Sequence, residues 1–170
     1  SNSFNKMNNK LLFESLVKYY NENKKSADIL VSIVNNKTNI SLRSIDWFIT
    51  NYSKKSNIYY NIYKGDNGDL IFDKNELNKN ELKNYKRVNI NVFQSYKSQL
   101  RAYSKKKFDP FCRRDRLIFE INNEKVETTV GQLNFFRWAI NNMVIDYIIN
   151  NKDKIEEDMN CSLKKIKQAG

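Results

Sequence analysis

The residues best suited to chemistry in this sequence are basic. Between Val92 and Arg116 stand eight lysines or arginines against two aspartates, a balance of +6 in 25 residues. They are Lys97, Arg101, Lys105, Lys106, Lys107, Arg113, Arg114 and Arg116. The whole chain carries +11, so this stretch holds over half of the excess. Lys97, Arg101 and Lys105 are four apart, which predicts one helical face. A stripe of that kind suits the backbone of a nucleic acid, where each neutralised phosphate releases counterions. Tyr96 and Tyr103 lie between these cations, and their rings either pack inward or stack on bases. A plain solvated face is the competing reading, of equal weight.

Composition makes lysine a weak witness. The chain has 27 Asn, 23 Lys and 17 Ile against 4 Gly, 4 Ala and 1 Pro. The frequent residues share AT-rich codons, so part of the positive charge reflects coding bias. Arginine is more telling, because its planar fork offers phosphate a geometry that lysine lacks. There are seven arginines, and five of them fall between positions 87 and 116.

The segment Asp109-Pro110-Phe111-Cys112-Arg113-Arg114-Asp115-Arg116 is the densest mix of special residues. Its first reading is structural: Asp109 or Asp115 pairs with a neighbouring arginine, while Phe111 and Cys112 enter the core. Direct ligand binding is the second. A separate nucleic-acid reading comes from the N-terminal half, where three helices and a hairpin follow the order of a winged helix. Arg43 and Ser44 would then begin the recognition helix, although Trp47 and Phe48 make that helix very apolar.

Catalysis finds little support. No P-loop, dinucleotide-binding glycine turn or nucleophile elbow occurs. The chain has no histidine, the commonest general base. Glu156, Glu157 and Asp158 are consecutive, so on a helix they diverge. Cys112 and Cys161 are too few for a disulfide framework or a four-ligand zinc site, and read as idle or buried thiols. No metal or cofactor is called for. No run approaches the ~18 apolar residues of a membrane helix, and no signal peptide is evident.

The elements that must position these residues read as α+β, mostly helical, with two small antiparallel hairpins. Residues 1–9 read as a tag or disordered N-terminus, with Met7 a candidate start. A first lobe, 10–72, contains an amphipathic helix at 10–23 and an apolar segment, Ala27 to Val34, capped by Ser26. A helix from Ser41 to Lys55 and a hairpin from Ile58 to Phe72 complete it. Residues 73–86 read as an exposed loop and the boundary between lobes. The second lobe, 87–170, opens with a strand through Val88, Ile90 and Val92. A helix from Phe93 to Lys107 follows, ended by Asp109-Pro110. A hairpin spans 116–128, turning at Asn122-Asn123. Thr129 and Gln132 match a capping box that opens a buried helix through Asn141. Apolar helical residues 143–149 and an exposed helix from Asp153 close the chain.

Three segments resemble a known family: ISLRSIDWFITNYSKK (Ile40 to Lys55), YKSQLRAYSKKKFDPFCRR (Tyr96 to Arg114) and TTVGQLNFFRWAI (Thr128 to Ile140). They are similar to uncharacterised proteins of nucleocytoplasmic large DNA viruses, including mimivirus-like and algal viruses, over roughly residues 10–160. The resemblance carries no activity and no residue roles. It implies a place in the virion or in the cytoplasmic factory of an infected cell.

The expected function is non-catalytic binding of nucleic acid, DNA ahead of RNA, through the eight basic residues, in transcription or genome packaging. The alternative is an interaction or scaffold module whose basic face meets acidic protein segments and whose C-terminal helix docks on a partner. A membrane partner is not expected.

Overall fold

A computed structural model describes residues 2–72 and 77–169, with side chains from Asn8 onward. The fold is α+β and mostly helical, with one three-stranded and one two-stranded antiparallel sheet. Its contacts divide the chain into two units that interleave along the sequence. Residues 1–42 and 100–138 form the first, and 43–99 and 139–170 the second. The stretch 73–86 therefore runs within the second unit, and residues 73–76 of it lie outside the described residues.

In the first unit, helix α1 (Asn2–Glu22) packs on α2 (Lys24–Val34) across Asn23. Residues 2–9, expected as a tag or disordered end, belong to α1. The α2 helix begins two residues before Ser26, and Ser26 instead accepts a hydrogen bond from the Tyr19 hydroxyl at 2.9 Å. The later half of this unit holds strands β4 (Leu117–Ile121) and β5 (Glu124–Thr128) and helix α7 (Val130–Asn141), which runs on into the second unit's span. Asn122 and Asn123 join β4 to β5 with φ of 50° and 65°. Two successive positive φ values suit a type I′ turn, and asparagine tolerates them. Phe119, Ile121, Val126 and Thr128 are buried along the inward face of this hairpin, in the alternation expected of a half-buried ribbon. Tyr20 is fully buried, donates to the Leu133 carbonyl at 2.7 Å and sets its ring edge-on to Phe119. The α7 helix is apolar nearly all round, and Leu133, Phe135, Phe136 and Trp138 are all buried.

Residues 42–55, in the second unit except for Leu42, are one helical rod with a flaw. It runs as α3 (Leu42–Trp47), a π-helical turn at Phe48–Tyr52, and α4 (Ser53–Lys55). A uniform helix was the expectation. The wide turn coincides with hydroxyls that bond back onto the rod, Thr50 to the Asp46 carbonyl and Ser53 to the Ile49 carbonyl. The sheet follows, in the order β2–β1–β3: β1 (Tyr59–Gly65), β2 (Leu70–Ile71) and β3 (Tyr85–Asn91). The expected hairpin, β1 with β2, pairs at only two positions, whereas β1 and β3 pair from Tyr59↔Asn91 to Gly65↔Tyr85. The polar start of β3, Tyr85 to Arg87, hides that longer pairing from an alternation test. Gly68, at φ +90°, closes the β1–β2 turn in a region that side chains avoid. Before β3 comes a single helical turn, α5 (Lys79–Leu82), capped by Asn78. Directly after it, Val92 begins α6 (Val92–Tyr103) instead of extending the strand.

Helices α8 (Val144–Asn150) and α9 (Lys152–Ala169) complete the second unit. The rod docks on α9 through polar contacts: the Trp47 indole donates to Asp158 at 2.9 Å, Lys55 pairs with Asp158, and Ser44 reaches Glu156. This overturns the winged-helix reading. Ser44 is buried, and α3 already has a partner in α9.

Candidate functional site

The eight predicted cations do not form a helical stripe. The α6 helix stops at Tyr103, and Ser104 takes a left-handed φ of 65°. Lys105 therefore lies beyond the helix, and only Lys97 and Arg101 share its face. Pro110 is not what ends the helix, since five residues separate it from Ser104. Tyr96 is buried and Tyr103 stacks on Phe108, so neither ring is presented for bases.

What the structure brings together instead is a loop, Ser104–Arg116, laid on the first turns of α7. It contains six of the eight cations. Neutral groups hold it, and nearly all of them come from one short sequence. The Gln132 amide donates to the Pro110 carbonyl at 2.8 Å while its oxygen accepts from the Thr128 hydroxyl at 2.8 Å. The Thr129 hydroxyl caps α7 by accepting from the Gln132 backbone N–H at 3.1 Å, and donates to the Cys112 carbonyl at 3.2 Å. Half of the expected capping box forms, because the Gln132 side chain serves the loop and not the helix end. The Asn134 amide donates to the Lys107 carbonyl at 2.8 Å, and the Asp109 N–H to the Gly131 carbonyl at 3.2 Å.

Gly131 makes the close approach possible. A Cβ there would stand 3.0 Å from the Cys112 Cβ and 3.1 Å from the Lys106 carbonyl oxygen. Below the loop, Phe108 is fully buried against Phe135 and Trp138. The loop is thus fixed by one aromatic anchor and a set of buried amides, which matches the rule that buried polar groups are satisfied.

Its charges are spent differently from the sequence expectation. Asp109 accepts from the Phe111 backbone N–H at 2.9 Å and makes no ion pair with an arginine among the described residues. Arg116 pairs at 2.9 Å with Glu127 of β5. Phe111 is exposed, and Cys112 is half-buried against Gly131, so neither enters a core as expected. Cys161 is exposed. Lys105, Lys106, Lys107, Arg113 and Arg114 make no ion pair among the described residues. All but the half-buried Lys107 are exposed.

Two clefts flank the loop. One, of about 380 Å³, is lined by Arg113, Arg116, Phe111 and the buried polar residues Thr128, Thr129 and Gln132. The other, of about 580 Å³, has apolar walls of Phe13, Leu117 and Val130 and cationic walls of Lys106, Lys107 and Arg114, with Asp115 beside them. Sequence reasoning missed Gln132, Asn134, Gly131 and Phe13. The two amides carried a usable signal: polar side chains on an otherwise apolar, buried helix must have partners.

No helix is long and apolar enough to cross a membrane among the described residues. No solved structure matches this chain. "Uncharacterized protein L507" of Acanthamoeba polyphaga mimivirus is 36% identical over a 181-residue alignment that covers 99% of this chain. The chain spans 62% of the length of that relative. The giant-virus resemblance carried by the three sequence segments is borne out. The model of a family of unknown function, DUF7197, matches residues 1–89 and 73–170, and the chain belongs to that family.

Proposed function

We propose that this protein binds nucleic acid without catalysis, gripping backbone phosphates with the Ser104–Arg116 loop, and that its target is the DNA of a large DNA virus during transcription or genome packaging. One observation carries the reading: five cations on one pinned loop have no acid partner among the described residues. Neutral hydrogen bonds fix the backbone, so the charges are left for a ligand. Lys97 and Arg101, exposed on α6, add to the same charge-dense stretch.

The test is binding of a duplex oligonucleotide across a salt series. With about five cations on phosphates, log affinity falls with log salt at a slope of roughly −4 to −5. Reversing Lys106, Arg113 and Arg114 to glutamate abolishes binding and leaves the fold intact, since exposed charges rarely contribute more than about 1 kcal/mol each. Absence of binding at low salt, or binding indifferent to salt, overturns the reading.

A scaffold role has its own observation. The distal turns of α9 expose Ile166 at 65%, although Ile155 and Met159 of the same helix are buried. An acidic protein partner that meets the basic face and docks there is weakened by Ile166→Asp as well as by the triple charge reversal, whereas nucleic-acid binding is untouched by Ile166→Asp.

A further inference from the structure

The larger cleft combines two chemistries. Phe13 of α1, Leu117 of β4 and Val130 of α7 give it apolar walls, and each of them is only half-buried. Lys106, Lys107 and Arg114 give it positive ones. All these residues belong to the first unit. The cationic side is held in place: the Lys106 carbonyl lies against Gly131, and the Lys107 carbonyl accepts from Asn134 at 2.8 Å.

A purely phosphate-binding surface does not need an apolar recess. A duplex backbone presents phosphates and sugars, and its bases are stacked inside. A single strand offers both groups at once: a flat, weakly polar base and, a few ångströms away, a phosphate. An aromatic ring beside a basic track is how proteins hold such strands without reading sequence. The volume, about 580 Å³, lies within the roughly 300–1,000 Å³ of pockets that bury small organic groups. Asp115 fits the same occupant. A carboxylate repels phosphate but accepts from the exocyclic amine of a base.

From this we infer that the cleft between α1, β4 and α7 takes an unpaired base of a single-stranded nucleic acid, stacked against Phe13, with its phosphates on Lys106, Lys107 and Arg114. The inference rests on the phosphate-binding reading and sharpens it: duplex is held by its phosphates alone, and a single strand is held more tightly.

Three probes of equal length separate the two claims: a mixed-sequence single strand, the same strand as duplex, and an abasic deoxyribose-phosphate chain. About 20 nucleotides suffice, since one single-strand module spans roughly 4–16. The wild-type protein is expected to prefer the single strand to the abasic chain by about tenfold or more, the scale of one base–aromatic stack. Phe13→Leu keeps an apolar wall and removes the ring. It should bring the single strand down towards the abasic affinity without changing the abasic affinity, and Phe13→Trp should restore the preference.

If wild-type protein binds single strand and abasic chain equally, the base site is overturned and the phosphate grip stands. If it binds the duplex best, the base site is likewise overturned. If it binds none of the three at low salt, both readings fall. The wild-type comparison decides these cases even where a Phe13 variant folds poorly.

Discussion

The protein handles positive charge in two opposite ways. In the second unit, Lys55 at the end of the helical rod pairs with Asp158 of α9, and Lys152 faces Glu156 one turn further on. There Lys55 ties the rod to α9, and Lys152 is paired within α9. In the first unit, the Ser104–Arg116 loop is fastened by Gln132, Thr129, Asn134 and the ring of Phe108, while five of its six cations lack an acid partner among the described residues. A cation that bonds within the fold is unavailable to a ligand. A loop built from neutral bonds keeps its charges available. The comparison separates charge paired within the fold from charge with no acid partner among the described residues, and substitutions in each region can break it.

The largest effect is expected at the aromatic anchor. Trp138 is buried and meets Phe108 edge-on at 5.6 Å between centroids, so it supports the floor of the loop. Trp138→Ala should cost about 3–5 kcal/mol, the range for a large aromatic removed from a core. A denaturant midpoint equal to wild type would show that the anchor is dispensable.

Next comes Gln132→Ala. It removes no charge, yet it strands the Pro110 carbonyl and the Thr128 hydroxyl. Leaving buried partners unmade costs about 1–3 kcal/mol. Binding to an oligonucleotide should weaken as well, because the cations lose their fixed spacing. If stability falls while binding is unchanged, the loop's rigidity has no part in recognition, and the contrast between the two regions loses half its meaning.

Local signals made much of the fold legible. Helical spacing marked α1, α7 and α9, and the Asn122-Asn123 pair marked the β4–β5 hairpin because only a turn with positive φ uses it well. Pairing was less legible. The β1–β3 partnership joins residues 59–65 to 85–91 across a polar segment, and nothing local in Tyr85 to Arg87 announces a strand. The candidate site was legible as a composition and misread as a shape. Counting lysines and arginines pointed to the segment that folds as the Ser104–Arg116 loop. Extending α6 through Lys105 then made a stripe of them, because Ser104, Lys105 and Lys106 carry no strong helix-breaking signal, and the left-handed turn at Ser104 is not announced by its residue type. Phe13 stands more than ninety residues from the loop, so its cleft could not be seen from spacing at all.

The smallest effect, and the sharpest test of the contrast, lies at Lys55. Its hydrogen bond is the main cause that holds the Asp158 carboxyl below its ordinary range; partial burial opposes it, and the Trp47 indole adds to it. A carboxyl depressed in the folded state contributes stability that is present above its unfolded pKa of about 3.9. That stability is lost as pH falls through the lower, folded value. Lys55→Met removes the cation and keeps the chain length. The Lys55 side chain is 57% exposed, so screening keeps the pair's value at neutral pH to about 0–1 kcal/mol. The gap between wild type and variant should therefore be small at neutral pH, begin to shrink as pH drops below about 4, and vanish only below the depressed folded value, where Asp158 is protonated in both. The matching change in the loop, Lys106→Met, has no acid partner to lose. It should leave stability unchanged at both ends of the range and weaken nucleic-acid binding instead. Chemical denaturation of the three proteins across pH distinguishes the cases. A pH-dependent loss in Lys106→Met would mean that the loop's cations also serve the fold, and that the two regions are not opposites.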